Sequence, residues 1–96
     1  DPKNIESAKG FIEKYTKQFG EIGPYSIYAY DAANILLSAI QAANSTDGKA
    51  VSEKLHSMEF TGAVGKVAFN DKGDVKVAPY VIWTTKDGKF VELWKP

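Results

Sequence analysis

The sequence predicts an α+β fold in which three helices precede two β-hairpins. Up to about residue 57, apolar residues recur at three- and four-residue steps, the period of a helix with one buried face. From Phe60 onward they alternate with a period of two, which is typical of strands. Turn signals at "NSTDG" and at Asp87-Gly88 separate these segments. The three observations together favour a single small domain-sized unit of helices followed by strands.

The composition excludes several classes of function. Twelve basic residues balance twelve acidic ones over 96 residues, which argues against a nucleic-acid binder or a polybasic membrane patch. Cysteine is absent, so neither a disulfide scaffold nor a thiolate metal site can form. No apolar stretch approaches the 18 or so residues of a membrane span, and no signal peptide opens the sequence. We expect the native N-terminus to lie upstream of Asp1.

The first predicted helix spans about residues 4–19. Its apolar side chains fall on a stripe roughly 80° wide, while lysines and glutamates occupy the other side. Gly20 follows at the position where a left-handed C-terminal cap is expected. The stripe consists of Ile5, Ala8, Ile12, Tyr15 and Phe19. We therefore expect a surface helix with one buried face.

The second predicted helix, about residues 24–43, is apolar over most of its circumference. Pro24 suits the first turn of a helix because its φ angle is already helical. We expect this helix to be the core helix of the chain, covered on several sides. Its polar arc, roughly 80° wide, consists of Asp31, Asn34, Ser38 and Gln41. Ile27 lies within that arc, so an apolar group is expected to meet the helix there.

The third predicted helix spans about residues 47–57. Asp47 is expected to be its N-cap, because an aspartate side chain accepts hydrogen bonds from the first backbone amides. Its apolar face consists of Val51, Leu55 and Met58. His56, the only histidine, is expected on the exposed side, where a solvated residue is favoured over a catalytic one.

Two hairpins are predicted in the second half of the chain. In the first, about residues 65–78, Val67 and Phe69 lie opposite Val75 and Val77, and Gly73 supplies a positive φ in the turn. In the second, Asp87-Gly88 forms a two-residue loop. The predicted cross-strand pairs are Thr85 with Phe90, Trp83 with Glu92, and Val81 with Trp94. Both faces of this second hairpin are apolar, so it needs cover on two sides that the rest of the chain can hardly provide.

No group of residues forms a recognisable active site. Asp31 and Glu92 are isolated acids without a neighbouring partner in the sequence. The stretch "NDKGDVKV" lacks the glycine at the sixth place and the glutamate at the twelfth that a calcium loop requires, so a turn is favoured. We predict no catalytic residue, no metal site, no cofactor and no enzymatic activity.

Three tyrosines at the start of the second helix are the remaining candidates for binding. Tyr28 and Tyr30 flank the predicted buried face, which favours core rings with hydrogen-bonded hydroxyl groups. Tyr25 lies in the first turn, where a side chain can emerge beside a loop and face a ligand. The candidate ligand-binding residues are Tyr25 and, one turn further, Tyr28.

Four stretches in succession carry a family resemblance. The stretches are "FIEKYTKQFG", "PYSIYAYDAANILLSAIQAA", "MEFTGAVGKVAFNDKGD" and "APYVIWTTKDGKFVEL". Together they resemble the C-terminal third of periplasmic amino-acid-binding proteins of the leucine/isoleucine/valine-binding type, the solute receptors of bacterial ABC importers. The resemblance covers nearly the whole chain, and the order of its motifs is fairly specific although no single motif decides it.

The resemblance implies a segment of a two-lobe α/β fold, the periplasmic-binding-protein type I fold. Residues 1–79 would belong to the N-terminal lobe and residues 80–96, the final hairpin, to the other lobe. A hinge crossover would fall at Ala78, Pro79 and Tyr80. Tyr25 matches a cleft-facing position of the family, where tyrosine stands here in place of phenylalanine. The family's main contacts to the α-carboxylate and ammonium groups come from earlier segments.

The function implied is that of a periplasmic amino-acid receptor that delivers its ligand to a membrane permease. We expect the isolated segment to bind ligand weakly or not at all and to form a homodimer by exchange or hairpin pairing. Two other interpretations stay open: a ligand-sensing lobe of a regulator or receptor of the same superfamily, and a free-standing protein-interaction module.

Overall fold

The structure is a computed structural model that describes residues 2–78 and 80–95. Two short 3-10 turns, Pro2–Asn4 and Glu6–Ala8, precede the first helix. The main elements are α1 (Lys9–Phe19), α2 (Ser26–Ala43), α3 (Gly48–Ser57), β1 (Phe60–Gly62), β2 (Gly65–Val67), β3 (Ile82–Lys86) and β4 (Lys89–Trp94). Within the described residues the strands form two separate antiparallel pairs, β1 with β2 and β3 with β4. The predicted α+β class is therefore confirmed.

The first helix begins later than predicted, at Lys9 instead of about residue 4. Ile5 has an extended backbone that separates the two 3-10 turns, and the hydroxyl of Ser7 donates a 2.7 Å hydrogen bond to the carbonyl of Ala63. This long-range contact holds the segment before α1 against the β1–β2 turn. Phe19, predicted on the buried stripe, is 69% exposed because α1 packs on the rest of the chain mainly through its N-terminal half. Gly20 has a positive φ of 90°, but its ψ of −156° lies outside the left-handed region expected for this cap.

The second helix turns a different face to the core from the one expected. Its buried ridge runs at four-residue steps through Ile27, Asp31, Ile35, Ala39 and Ala43. Ile27 is fully buried against Ala8 and Ala63, so the expected apolar contact at this position is confirmed. The expected cover on several sides is not found within the described residues. Leu36 and Leu37, on the apolar part of the helix, are 48% and 63% exposed.

Asp31 connects α2 to the β1–β2 turn. Its Oδ1 accepts a hydrogen bond from the backbone amide of Ala63, and its Oδ2 accepts one from that of Val64, each at 2.8 Å. The residue is only 3% exposed. Asp31 belongs to the predicted polar arc of α2 and has no partner nearby in the sequence, yet it is buried because its partners are backbone amides more than 30 positions away in the chain.

Gly62 is required by this contact. A Cβ atom at position 62 would lie 2.6–2.7 Å from the carboxylate atoms of Asp31, too close for any side chain without movement of the backbone or of Asp31. The Asp31 contact lies between two apolar clusters. One contains Ala8, Ile27 and Ala63, the other contains Ala39, Val51, Phe60 and Val67, and Val64 packs against both.

The third helix agrees with its prediction. The Asp47 side chain accepts a 3.2 Å hydrogen bond from the backbone amide of Ala50, so Asp47 is the N-cap. Val51 is buried, while Leu55 and Met58 pack partly buried on the same cluster. His56 is exposed, and its Nδ1 lies 2.8 Å from the carbonyl oxygen of Ser52 in the preceding turn.

The predicted hairpin over residues 65–78 is confirmed only near its turn. β2 pairs with β1, with Phe60 opposite Val67, whereas Phe69 and Val75 form an isolated bridge that is flanked by hydrogen bonds from the Asn70 amide to the Asp74 carbonyl and from the Lys76 amide to the Ala68 carbonyl. The turn between them was predicted correctly: Gly73 has a φ of 86°, and Asn70 Oδ1 accepts hydrogen bonds from the amides of Lys72 and Asp74. The turn of the β1–β2 pair is in addition bound by the Asp31 carboxylate.

The final hairpin has the predicted loop and most of the predicted register. Asp87 and Gly88 both have positive φ angles, 52° and 73°, as a type I′ turn requires. Thr85 lies opposite Phe90 and Trp83 opposite Glu92. The third pair is wrong: an extra residue in β4 places Ile82, not Val81, opposite Trp94. Every residue of β3 is exposed, so the described part of the chain leaves this hairpin uncovered.

The chain is more extended than a compact domain of its length. Its radius of gyration is 16.0 Å, whereas about 12.5 Å is typical of 96 residues. The accessible surface is 7526 Å², whereas a compact monomer of this mass exposes about 5400 Å², so the excess is about 2100 Å². Large apolar side chains on α2 and on the final hairpin contribute to this excess exposed surface.

Gly62→Ala is expected to lower the free energy of unfolding by about 1–3 kcal/mol, because the new Cβ would displace the Asp31 carboxylate or the β1–β2 turn. Gly10→Ala is the matched control: its Cβ meets no atom within 4 Å and should stabilise α1 by about 0.5–1 kcal/mol. Urea unfolding followed by circular dichroism measures both. Equal stability of the Gly62→Ala variant and the wild type would contradict the close contact.

Candidate functional site

An open apolar groove of about 510 Å³ lies between α2 and the segment of residues 64–78. One wall is formed by α2 and the other by β2 and the extended chain that follows it. The side chains that line the two walls include Tyr28, Ala32, Ile35 and Leu36 on α2, and Val67, Phe69, Val75 and Val77 opposite them. The volume lies within the range of small-molecule sites, about 300–1,000 Å³.

The groove forms because the hairpin over residues 65–78 is not closed. Phe69 and Val75 form a bridge, and the amide of Lys76 donates a 2.8 Å hydrogen bond to the carbonyl of Ala68. Beyond that point the two arms do not pair as strands, and both Val67 and Val77 line the groove. The opening lies where β2 has β1 as its strand partner.

The structure brings together some of the predicted site residues but not all of them. Tyr28 and the predicted hinge residue Ala78 both line the groove. Tyr25 is not among the described residues that line it; it is the N-cap residue of α2 and is 78% exposed. Tyr80 is also 78% exposed, and Pro79 lies outside the described residues.

The prediction that Tyr28 and Tyr30 are core rings is wrong within this chain. They are 51% and 48% exposed, and in the described part of the chain no hydrogen bond of their hydroxyl groups is found. Tyr30 stacks on Phe11, with 4.6 Å between ring centroids. Phe11, Tyr15 and Phe19 continue this row of rings along α1 at centroid separations of 5.6 and 5.2 Å. Tyr28 instead presents its ring to the groove.

The charges in the groove are already engaged. Both carboxylate oxygens of Asp31 accept backbone hydrogen bonds and the residue is only 3% exposed, so little of this acid is open to a ligand ammonium group. Lys66 lies at the exposed rim, 3.8 Å from Glu59. Over residues 2–78 and 80–95, no cluster of three or more acidic or histidine side chains is suited to a metal ion. Among its described lining residues the groove offers apolar contact area and one cation, Lys66, at its rim, which suits the binding of an apolar group.

Sequence reasoning missed the role of Asp31 and therefore the groove itself. The signal was present in two patterns: Asp31 lies midway between Ile27 and Ile35 at four-residue steps, and Gly62 and Gly65 frame the turn it binds. Joining the two patterns requires knowing that α2 and the turn meet in space.

Comparison with known proteins assigns the chain to a family. Residues 2–89 match the family model described as periplasmic binding protein. The chain belongs to the periplasmic binding protein family. Among solved structures, a leucine-binding protein LivK from Thermotoga maritima superposes with a TM-score of 0.77 and 29% identity, over 99% of this chain and 28% of that one.

Curated relatives cover nearly the whole chain as well. An amino acid binding protein of Pseudomonas aeruginosa is 32% identical over 94 residues, which is 97% of this chain and 25% of the relative. A Leu/Ile/Val-binding protein homolog 2 of Brucella abortus is 29% identical over 90 residues, 93% of this chain and 24% of the relative. This member of the family thus spans about a quarter of the length of the relatives it matches. Among the described residues, no helix is long and apolar enough to cross a membrane.

Asp31→Ala is expected to lower the free energy of unfolding by about 2–4 kcal/mol, because two charge-assisted hydrogen bonds are lost and the amides of Ala63 and Val64 lose their acceptors. Asp31→Asn keeps one acceptor oxygen and should lose less. The control Asp71→Ala, on an exposed turn, should change stability by less than about 0.5 kcal/mol. Urea unfolding decides the order, and similar effects of Asp31→Ala and Asp71→Ala would contradict the structural role of Asp31.

Proposed function

We propose that the chain is part of a solute-binding protein that binds an amino acid and delivers it to the membrane permease of a bacterial ABC importer. The observation that carries this proposal is the superposition of 99% of the chain on a leucine-binding protein at 29% identity. The relatives at 29–32% identity are likewise an amino acid binding protein and a Leu/Ile/Val-binding protein homolog. The function is solute binding without catalysis, in the periplasm.

In this proposal Tyr25 and Tyr28 contribute to one wall of the ligand cleft. Tyr25 lies at the N-terminus of α2 and belongs to neither apolar cluster, and 78% of its surface is exposed. A tyrosine in that position has an aromatic face for an apolar side chain and a hydroxyl group for a polar contact. Tyr28 lies three residues further along the helix, beside the groove.

The hinge is proposed at residues 78–80, with residues 1–79 in one lobe and residues 80–96 in the other. The support is that residues 82–90 are exposed without exception, although the hairpin carries large apolar side chains such as Trp83 and Phe90. A two-stranded hairpin is stable only when it packs on further strands or helices. A second lobe would provide that cover.

The chain by itself is proposed to form a homodimer, by exchange or by hairpin pairing. The exposed β3–β4 edges and the excess surface of about 2100 Å² support self-association in the absence of other cover.

The isolated chain is expected to bind leucine, isoleucine and valine weakly or not at all. It has an engaged Asp31 and no other buried acid among the described residues to hold the ligand ammonium group. Calorimetric titration of the 96-residue chain with each amino acid tests this expectation. Micromolar binding would show that the contacts within this segment suffice and would overturn the incomplete-cleft proposal.

The proposed function itself is tested in the complete protein that carries this segment. An upstream reading frame with two α/β lobes behind a signal peptide favours the transporter, an attached output domain favours a sensor, and a start codon just before Asp1 favours a free-standing module.

In a complete receptor, Tyr25→Ala is expected to weaken amino-acid binding about tenfold or more, since an aromatic wall is lost.

Two variants serve as controls for that measurement. Tyr25→Phe should keep most of the affinity if the ring matters and lose it if the hydroxyl group matters. Tyr15→Ala, in the row of rings on α1, removes an equal side chain that does not line the groove and should leave affinity unchanged. Undiminished binding by the Tyr25→Ala variant would remove Tyr25 from the cleft.

A further inference from the structure

Asp31 is a buried acid that the proposed function does not yet use. Among the described residues it is the only charged side chain that is buried. Its two carboxylate oxygens accept 2.8 Å hydrogen bonds from the backbone amides of Ala63 and Val64. Because a hydrogen bond requires a defined distance and angle, this contact constrains the placement of α2 against the β1–β2 turn more narrowly than apolar packing does.

Two buried side chains of α2, Ile27 and Asp31, lie against the β1–β2 turn. The third buried position of the helix, Ala39, belongs to the cluster that contains Val51 of α3 and so holds the other half of the helix. Ile27 packs in the cluster that contains Ala63, a contact without directional preference. The rotation of the N-terminal half of α2 about its axis, and its position along that axis, therefore depend on the hydrogen bonds of Asp31.

The β1–β2 turn is held by a second element as well. The hydroxyl of Ser7 donates a 2.7 Å hydrogen bond to the carbonyl of Ala63, and the amide of Ala63 donates to Asp31. Gly62 lets the carboxylate approach the turn closely, because a Cβ atom there would lie 2.6–2.7 Å from it. The turn is thus a fixed support to which Asp31 attaches α2.

The two candidate ligand-binding tyrosines lie on the part of α2 that Asp31 holds. Tyr28 precedes Asp31 by one turn, about 60° around the helix and about 4.5 Å along it, and both residues line the groove. Tyr25 lies about 120° around the helix from Asp31 and about 9 Å along it. Binding sites require their side chains to be held within about 0.5 Å and 10–20° of the productive geometry. A small rotation of α2 on the turn would move both rings outside that tolerance.

We infer that Asp31 is a positioning residue for ligand binding, which sets the orientation of Tyr25 and Tyr28 by holding the amides of Ala63 and Val64. This inference rests on the proposed function and adds to it a residue that acts through the two tyrosines. Loss of the Asp31 hydrogen bonds therefore weakens binding although both aromatic side chains are still present.

Calorimetric titration of the complete protein that carries this segment tests the inference, with the common protein amino acids as ligands. Asp31→Ala removes both acceptor oxygens, and Asp31→Asn keeps one of them. Gly62→Ala displaces the carboxylate from the side of the turn and leaves the Asp31 side chain in place. The titrations are made at a temperature at which circular dichroism shows each variant to be folded.

Val51→Ala is the control for a loss of stability alone. Val51 is 7% exposed and packs in the other apolar cluster, and it does not line the groove. Its truncation removes buried apolar volume on α3 and leaves the Asp31 hydrogen bonds intact.

The expected result is about tenfold weaker binding by the Asp31→Ala and Gly62→Ala variants, a smaller loss for Asp31→Asn, and a change of less than about twofold for Val51→Ala. If Asp31→Ala does not fold, Asp31→Asn and Gly62→Ala still decide the outcome. Asp31→Asn combined with Tyr28→Ala should weaken binding by less than the product of the two separate effects, because a ring that Asp31 positions is already absent.

Three results would contradict these expectations in different ways. Equal affinities of the Asp31, Gly62 and Val51 variants would overturn the inference and leave the proposed function intact, since the wild type binds. Separate effects that multiply fully in the combined variant would show that Asp31 does not act through Tyr28, and would also overturn the inference alone. A wild type that binds no amino acid would overturn the proposed function and the inference together.

Discussion

The contact between the Asp31 carboxylate and the amides of Ala63 and Val64 holds the first 70 residues together. One buried side chain on α2 satisfies two backbone donors at the β1–β2 turn. The turn then lies between the two apolar clusters and joins them through Val64. Because a buried carboxylate is stable only when its oxygens are hydrogen-bonded, this contact specifies one position of the turn along the helix.

The groove lies beside that contact. Asp31 binds the β1–β2 turn, β2 pairs with β1, and the following arm, which reaches Val77, has a strand bridge only at Val75. The open space between this arm and α2 is apolar because its walls carry side chains such as Ile35, Val75 and Val77. This family member spans about a quarter of the length of its relatives, and within its described residues the faces of α2 and of the final hairpin lack neighbours.

The parts of the fold that were predicted correctly depend on neighbouring residues. The Asp47 cap of α3 and the Asp87-Gly88 turn are set by side-chain and φ preferences within four residues. The predicted register of the final hairpin is wrong only beyond Trp83, where an extra residue in β4 shifts the pairing. The predicted start of α1 is wrong because the segment before the helix is held by a hydrogen bond from the hydroxyl of Ser7 to a carbonyl 56 positions away. Periodicity cannot detect such a contact.

The sequence by itself determined the class of fold, the three helices, the final hairpin and, through the order of its motifs, the family. These features follow from local propensity and from patterns that extend over whole segments. Only the tertiary structure decided which face of α2 is buried, how β2 pairs, and that Tyr28 and Ala78 line one groove while Tyr25 stands apart. The physical reason is that Asp31 is polar in any count of hydrophobic periodicity, and only its two distant amide partners make it a buried residue.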